Sequence, residues 1–459
     1  MIRRNATEAM LLAGLVLMVF SACAGAESPG PSLEQRLDAL VTEVYPASND
    51  PGLAVLVMVD GKPVLRRGYG VADLQSGARV TPDMVFRLAS VTKQFTAVCV
   101  LQLVQAGKVL LTDPISKYVP EFDTQGKTIT IENLLSHSSG IPNVTAQEEF
   151  KAQQTKDLKP VDTFALIAGK PLEFEPGSRF KYSNTNYLLL GVVIEKVSGQ
   201  TYAEYLDQHI AKPLGLADTR YSRDDAHTPR HARGYEKDES GKWAPASPIS
   251  MTQPYAAGAI ESTVDELAKW TMALDEGKLI DPALRDRAWT PFSPSESPSP
   301  YGFGWNIREE AGERWIGHAG GINGFMSEAV WIPEKKVFVA VLRNGLGDAA
   351  PALLVRQLAL EAVGRPAPKR VIISLPATTL DRYVGIFAVT PELKFTFSRT
   401  DQKLFVEVPG KTTMELFAEA EDKFFSKEID AQFVFMVEEG KSKQLTITRS
   451  GRSRTASRE

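Results

Sequence analysis

The amino-acid sequence predicts an α/β (α+β) fold in which an antiparallel sheet is flanked by helices and a helical lobe, followed by a small all-β domain. Three observations lead to this prediction. Strand patterns lie at both ends of the first, larger part of the chain, and the stretch between them is mostly helical. Short alternating strands then fill the C-terminal part. A chain of 459 residues exceeds one usual domain, which agrees with this division.

The strands of the predicted sheet come from opposite ends of the larger part. Leu53–Val59 is a continuous apolar run, Asp60-Gly61 is a hairpin turn, and Val64–Tyr69 returns as a second strand. Three later strand patterns have the same apolar character: Trp315–Ile316, Ala329–Ile332 and Val337–Leu342. A sheet assembled from both ends leaves the helical lobe beside it, and the cleft between them is the expected place for chemistry.

Helices flank these strands, and a linker ends the larger part. Ser32–Tyr45 carries apolar residues on one face, and Pro351–Val363 closes the region as a helix. Gly364–Pro368 interrupts the pattern, so we expect one domain over residues 27–365 and a β-sandwich or barrel over residues 366–459. The second domain contains no His or Cys, which favours a packing or oligomerisation module, and its basic segment Ser450–Arg454 is expected to be a solvated end.

Residues 1–26 are typical of an export signal, which predicts a periplasmic or secreted protein. We favour cleavage after Ala26. In the alternative, Phe20-Ser21-Ala22-Cys23 is a lipoprotein processing site and Cys23 carries a lipid anchor. No later segment is long and apolar enough to span a membrane. The other cysteine, Cys99, is expected to be a buried and inert thiol.

The charge balance argues against several partner classes. The chain has 52 basic and 56 acidic residues, so nothing favours nucleic acid or an anionic membrane surface as a partner. His227 and His231 are four residues apart, but Pro229 lies between them and no helix is evident, which favours a solvated loop over a zinc site. We therefore expect no metal and no organic cofactor, and the sequence leaves the oligomeric state open.

The candidate chemistry begins at Ser90-Val91-Thr92-Lys93, at the start of a helix predicted to reach Gln105. Residues three apart share a helix face, so the Lys93 amine can reach the Ser90 hydroxyl. A lysine can activate a serine only if burial or nearby positive charge lowers its pKa from about 10.4. The spacing recurs at Ser178-Arg179-Phe180-Lys181, which we interpret as a loop. Taken alone, Ser90 would more simply be a helix N-cap.

Two further elements favour a catalytic role for Ser90. Tyr182-Ser183-Asn184 supplies a phenol and an amide; the phenol could relay a proton if nearby cations depress its pKa from about 10, and the amide could hold a substrate carbonyl and orient the lysine. His318-Ala319-Gly320-Gly321 follows a predicted strand, where glycines let a substrate backbone approach the strand edge. The N–H groups of Ser90 and Gly321 could form an oxyanion hole.

In this order, the three elements resemble the signature of the penicillin-recognising serine enzymes: class C β-lactamases, D-alanyl-D-alanine peptidases, D-aminopeptidases and related esterases. The resemblance covers roughly Leu33 to Val363. Five flanking stretches also match the family: Phe86–Ser90, Leu134–Gly140, Pro176-Gly177, Ala257-Gly258 and Tyr301–Trp305. The resemblance implies a β-lactamase/transpeptidase-like fold and a serine hydrolase without cofactor. It also implies a structural role for His137.

The resemblance implies a role for each site residue. Ser90 would be the nucleophile, and Lys93 and Tyr182 would share the base and acid work. Asn184 would position the substrate beside the strand edge that Gly320 and Gly321 line. His318 would contact an acid group of the substrate or steady Tyr182.

The third element departs from class C β-lactamases, which carry a lysine where this chain has His318. A histidine is only partly charged near neutrality, so the departure favours the peptidase and aminopeptidase branches over efficient β-lactam hydrolysis. The expected substrates are D-amino-acid peptides, peptidoglycan fragments or small esters. The alternatives are a class C-like β-lactamase or esterase, a penicillin-binding sensor that turns over slowly, and a purely structural envelope protein.

Overall fold

The computed structural model describes residues 30–46, 49–223, 228–293, 300–347, 351–367, 370–391, 393–408, 413–427, 429, 431–449 and 452–459. The predicted export signal over residues 1–26, with Cys23, lies outside the described residues, as does His227.

The described helices are α1 (Leu33–Val44), α2 (Thr92–Gln105), α3 (Ile131–Leu135), α4 (Glu148–Ala152), α5 (Pro160–Thr163), α6 (Asn184–Ser198), α7 (Tyr202–Leu206), α8 (Lys212–Leu214), α9 (Tyr255–Gly258), α10 (Val264–Asp275), α11 (Pro282–Ala288), α12 (Pro351–Ala362) and α13 (Ala377–Leu380). The first strands are β1 (Leu53–Val59), β2 (Lys62–Tyr69), β3 (Val71–Asp73), β4 (Ala78–Arg79), β5 (Phe86–Arg87), β6 (Arg220–Tyr221), β7 (Tyr235–Lys237), β8 (Trp243–Pro245) and β9 (Ile260–Ser262).

The next strands are β10 (Asn306–Glu310), β11 (Glu313–Ile322), β12 (Phe325–Ile332), β13 (Val337–Arg343) and β14 (Gly345–Leu346). The C-terminal strands are β15 (Gly385–Ala388), β16 (Lys394–Thr400), β17 (Lys403–Glu407), β18 (Met414–Ala420), β19 (Lys423–Ser426), β20 (Ala431–Glu438), β21 (Lys441–Arg449) and β22 (Arg452–Arg458).

The main sheet joins strands from both ends of the larger part, as the sequence predicts. Its order is β10-β11-β12-β13-β1-β2, and each neighbouring pair is antiparallel. The closing pair of β1 and β13 runs from Leu53 opposite Arg343 to Val59 opposite Val337. The strand predicted at Trp315–Ile316 is longer in the structure, where β11 runs from Glu313 to Ile322. His318–Gly321 therefore lies inside a strand and not after it.

Both faces of this sheet are covered, which explains why β1 is continuously apolar. Leu53, Val55 and Val57 pack in one core with α1 and α12, whereas Ala54 and Leu56 face the core of the helical lobe. The lobe core contains α2 and α6, which are buried on nearly all sides. Cys99 on α2 is fully buried, and burial raises the pKa of its thiol, which confirms a buried thiol.

In the described C-terminal part, eight strands from β15 to β22 form a closed barrel, which decides between the predicted sandwich and barrel. Its interior is filled by aromatic side chains: Tyr383, Phe387, Phe397, Phe424, Phe433 and Phe435. The seam between the first and last strands is short, with Phe387 opposite Arg458 and Ala388 opposite Ser457. The prediction of a solvated end at Ser450–Arg454 is wrong from Arg452 onward, because β22 begins there and pairs with β21.

Arg458 fastens this seam. Its guanidinium donates hydrogen bonds to the carbonyl oxygens of Ser442, Val384 and Arg382, and it lies over the Phe387 ring. Across the described ranges, no helix combines the length and the apolar character needed to cross a membrane.

Candidate active site

Ser90 is presented by a strained turn. The chain leaves β5, passes through a 3₁₀ turn at Ala89–Val91 and enters α2. Ala89 has a φ of 48°, in the left-handed region, where a residue with a Cβ carries strain of about 1–3 kcal/mol. The N-terminal cap of α2 is Val91, whose side chain makes no capping hydrogen bond. Ser90 is therefore not the helix cap that a lone Ser-x-x-Lys pattern suggests.

The Lys93 amine lies among three oxygen atoms. Its Nζ is 3.0 Å from Ser90 Oγ, 2.8 Å from Asn184 Oδ1 and 2.8 Å from the Ala257 carbonyl oxygen. Lys93 is 0% exposed, and burial lowers the pKa of its amine well below the ordinary value of 10.5. Within the described ranges, no carboxylate contacts this amine to restore its charge. The contacts of Lys93 with Ser90 and Asn184 are predicted from the sequence, whereas the contact with the Ala257 carbonyl is not.

The three contacts determine the direction in which the lone pair of a neutral Lys93 amine points. Asn184 Oδ1 and the Ala257 carbonyl only accept hydrogen bonds, so each takes one N–H from Lys93. A neutral amine has two N–H bonds, which leaves its lone pair facing the Ser90 hydroxyl. Burial without a counter-charge favours that neutral form. The site can therefore offer a base 3.0 Å from Ser90 Oγ.

Asn184 is held by two residues that the sequence analysis missed. Its backbone N–H donates to Asn143 Oδ1 at 3.0 Å, and its side-chain Nδ2 donates to Thr145 Oγ1 at 2.8 Å. Thr145 in turn donates to Asn143 Oδ1 at 3.1 Å. The amide is thus oriented with its oxygen toward Lys93. The only signal in the sequence is the polar Asn-Val-Thr stretch after Gly140, which is typical of many turns.

Tyr182 lies next to this pair, so the structure brings the hydroxyl, the amine and the phenol of the first two motifs close together. Lys93 Nζ is 4.9 Å from the centroid of the Tyr182 ring. The condition stated for a proton relay, a Tyr182 pKa depressed by nearby cations, is not met. Burial raises that pKa, and the nearby Ser90 hydroxyl opposes the rise only in part. The Tyr182 hydroxyl has no hydrogen-bond partner among the described residues and keeps its proton at neutral pH.

The strand β11 closes the site from the opposite side. β10 pairs only with Glu313–Gly317, so residues 318–322 have no strand partner on that edge within the described ranges. At Gly320, a Cβ would lie 2.2 Å from the Leu88 carbonyl oxygen and 3.0 Å from Ser90 N. A glycine at position 320 thus lets the turn that carries Ser90 pack against β11. From the sequence alone, the same glycine is explained differently, by close approach of the substrate backbone. Gly321 has open space where a Cβ would point.

His318 is buried and uncharged. It is 4% exposed, its Nδ1 is 2.6 Å from the Ala319 carbonyl oxygen, and its Nε2 is 2.9 Å from the Tyr301 hydroxyl. The carbonyl needs a donor, so Nδ1 carries the proton and Nε2 accepts from Tyr301. Burial and the nearby Lys93 lower the pKa of this imidazole to about 3. The expectation of a partly charged imidazole is therefore wrong. The ring lies 6.1 Å from that of Tyr182, which fits the steadying role better than a contact to an acid group.

The other candidate residues lie elsewhere or are engaged. Ser178 Oγ donates to the Glu175 carbonyl, and the exposed Lys181 amine pairs with Glu173 at 2.7 Å, so the second Ser-x-x-Lys copy forms no site. His231 Nε2 faces Glu261 at 3.2 Å. Throughout the described ranges, no group of three or more His, Cys, Asp or Glu side chains is arranged to hold a metal ion.

The family sequence model described as Beta-lactamase matches residues 37–364 of this chain. Protein flp of Staphylococcus aureus (strain MW2) is 30% identical over 330 residues, which are 70% of this chain and 65% of that protein. The match thus spans less than two thirds of that relative's length.

Two solved structures are also similar. The octameric penicillin-binding protein homologue from Pyrococcus abyssi has a TM-score of 0.68 at 26% identity, covering 92% of this chain and 99% of that chain. The D-stereospecific amidohydrolase from Streptomyces sp. has a TM-score of 0.59 at 26% identity, covering 72% and 98%.

The two adjacent glycines of β11 give a matched test of how tightly the strand packs on the Ser90 turn. Gly320→Ala should lower the free energy of unfolding by about 1–3 kcal/mol, because its methyl group meets backbone oxygen at 2.2 Å. Gly321→Ala should change it by less than about 0.5 kcal/mol, since nothing lies within 4 Å. Chemical denaturation of both variants measures the difference, and equal losses would contradict the close packing.

Proposed function

This chain belongs to the beta-lactamase family of serine hydrolases, and from that premise we propose that it cleaves amide or ester bonds through an acyl-enzyme formed at Ser90. The observation that carries the proposal is the uncompensated burial of Lys93, with two amine protons taken by Asn184 and Ala257. The free electron pair then faces Ser90 and takes the hydroxyl proton as the oxygen attacks the substrate carbonyl.

Tyr182 serves as the acid in this proposal. Because burial keeps its phenol protonated at neutral pH, it can donate a proton to the departing amine or alkoxide. Tyr182 is then a phenolate, and it receives the proton that Lys93 took from Ser90, which restores the neutral amine and the phenol. The N–H groups of Ser90 and Gly321 hold the oxyanion, and Asn184 holds the carbonyl of the acyl side chain. A water molecule then cleaves the ester at Ser90 by the reverse sequence of proton transfers.

The free edge of β11 suggests how the substrate is oriented. A substrate bound as an added antiparallel strand, with its acyl residue opposite Gly321, sends its leaving group toward His318 and its acyl side toward the hairpin at Asn323. The neutral His318 offers no positive charge to a carboxylate on the leaving group. We therefore favour short amides and esters, with D-configured acyl residues, over carboxypeptidase substrates and β-lactams. The similarity to a D-stereospecific amidohydrolase supports this choice.

The predicted export would bring such an enzyme to peptides released from peptidoglycan. A sensor that turns over slowly is the second candidate, because Ser90, activated by Lys93, would be acylated in either protein.

The choice of nucleophile is tested with a fluorophosphonate probe. Wild-type protein should be labelled at Ser90, Ser90→Ala should lose the label, and Ser178→Ala should keep it, since Ser178 lies in an exposed turn. Mass spectrometry of the labelled peptide gives the position. Label retained in Ser90→Ala and lost in Ser178→Ala would show that the wrong copy was chosen. A label without any substrate turnover would favour the sensor.

The substrate class is tested by comparing matched compounds. D-alanine amide and a p-nitrophenyl ester should be hydrolysed with kcat/KM at least about 100-fold above that for D-alanyl-D-alanine and for a chromogenic cephalosporin. An unpaired carboxylate beside a neutral, buried group costs at least about 2–3 kcal/mol. His318→Lys should narrow this gap. Equal rates on all four compounds would contradict the assigned orientation.

The pH dependence follows from the direction of the pKa shifts. Lys93 is active as a base, so kcat/KM should rise as pH increases through its lowered pKa and then stay level, because Tyr182 keeps its proton. His318 should contribute no step near 6.5, since burial and the nearby Lys93 lower its pKa to about 3. Burial raises the pKa of Glu328, which lies on β12 opposite Ala319, to about 7, so this carboxyl needs a control. The acid limb should persist in Glu328→Gln; its disappearance would assign the limb to Glu328.

A further inference from the structure

His137 lies in a conformation that a histidine rarely adopts. It follows α3, is fully buried, and has a φ of 56° in the left-handed region. Strain of this kind persists only where the surrounding structure requires the residue in place. Among the described residues, the hydrogen bonds of its side chain go to Ser183 and Asn186, and none goes to Ser90 or Lys93.

His137 accepts two hydrogen bonds, one from each of the residues on either side of Tyr182. The Lys181 N–H donates to the His137 carbonyl oxygen at 2.9 Å, and the Ser183 N–H donates to His137 Nδ1 at 3.2 Å. A single residue thus anchors the backbone immediately before and immediately after the tyrosine. With both neighbours bound, the Tyr182 backbone has little freedom to turn its ring away from Ser90.

The protonation of the imidazole follows from a third contact. Asn186 Oδ1 accepts a hydrogen bond from Ser139 Oγ at 2.7 Å, so its Nδ2 is the group that faces His137 Nδ1 at 3.2 Å. Two donors therefore meet at Nδ1, which must be unprotonated, and the proton resides on Nε2. Burial, with Lys93 and His318 nearby, lowers the pKa of this imidazole well below its ordinary value and maintains that state.

The ring itself fills the space behind Tyr182. Its centroid is 4.3 Å from that of Tyr182, 4.8 Å from that of Tyr301 and 5.1 Å from that of Tyr187. The Tyr182 hydroxyl has no hydrogen-bond partner of its own among the described residues. The position of this phenol therefore depends on ring packing and on the anchored backbone.

We propose that His137 is the positioning residue for Tyr182, acting as a neutral hydrogen-bond acceptor that fixes both neighbours of the tyrosine while its ring backs the phenol. This inference rests on the proposed function, in which Tyr182 donates a proton to the leaving group. His137 itself transfers no proton.

Two substitutions distinguish the contribution of His137 as a hydrogen-bond acceptor from the contribution of its ring. His137→Phe keeps a ring but leaves the Ser183 N–H and Asn186 Nδ2 without an acceptor. His137→Asn keeps an acceptor near the position of Nδ1, and asparagine adopts left-handed backbone more readily than other residues with a Cβ. We expect His137→Phe to lower kcat about 100-fold with little change in KM, since a displacement of about 1 Å has this effect. His137→Asn should stay within about 10-fold of wild type.

A double-mutant cycle tests whether the effect passes through Tyr182. If it does, His137→Phe should lower kcat much less in a Tyr182→Phe background than in wild type, because the positioned group is already absent. Val193→Ala, a buried change two turns along α6, controls for lost stability and should lower the melting temperature without lowering kcat. Additive losses in the cycle, or an Asn variant as impaired as the Phe variant, would overturn the proposal.

Labelling by the fluorophosphonate probe keeps the two hypotheses apart. His137→Phe should still be labelled at Ser90, because the Ser90–Lys93 pair is intact in that variant. Failure to label the wild-type protein would refute the proposed function. Labelling of wild type and variants with additive kinetics would refute only the role of His137.

Discussion

The site depends on the burial of one amine without a counter-charge. Lys93 is held by oxygen atoms from three separate elements: Ser90 before its own helix, Asn184 at the start of α6, and the Ala257 carbonyl in α9. A carboxylate in any of these places would stabilise the ammonium form and remove the base. The dense packing of α2 and α6 in the lobe is what keeps water and charge away from this amine.

Strained backbone recurs next to the parts that must be placed accurately. Ala89 precedes Ser90, His137 anchors the neighbours of Tyr182, and Tyr255, with a φ of 39°, begins the short helix that supplies the Ala257 carbonyl. Each is a non-glycine residue in a left-handed conformation, at a cost of about 1–3 kcal/mol. The rest of the fold compensates for this cost, since these turns are buried in one continuous core.

Much of the fold, and the proximity of Lys93 to Ser90 and Tyr182, could be predicted from the sequence, because apolar runs and motif spacing are local signals. The sheet joined from both ends and the convergence of Tyr182 on Ser90 follow from such signals. The missed features depend on tertiary contacts. Every residue has a backbone carbonyl, so the residue type at position 257 gives no sign that this carbonyl binds Lys93. The pKa shifts of Tyr182 and His318 arise from burial, which the spacing of motifs does not reveal. The edge strand β10 is largely polar and lacks an apolar alternation.

The short seam of the C-terminal barrel has a consequence for how this part of the chain folds. Phe387 and Arg458, which meet across the seam, are separated by roughly seventy positions, so closure is among the most non-local and slowest contacts to form. Until it forms, β15 and β22 expose open strand edges that can pair with other chains. The hydrogen bonds from Arg458 to three carbonyl oxygens form only at this last step, so they do not stabilise the barrel before it closes. Refolding at high protein concentration is therefore the condition under which this barrel is most prone to aggregate.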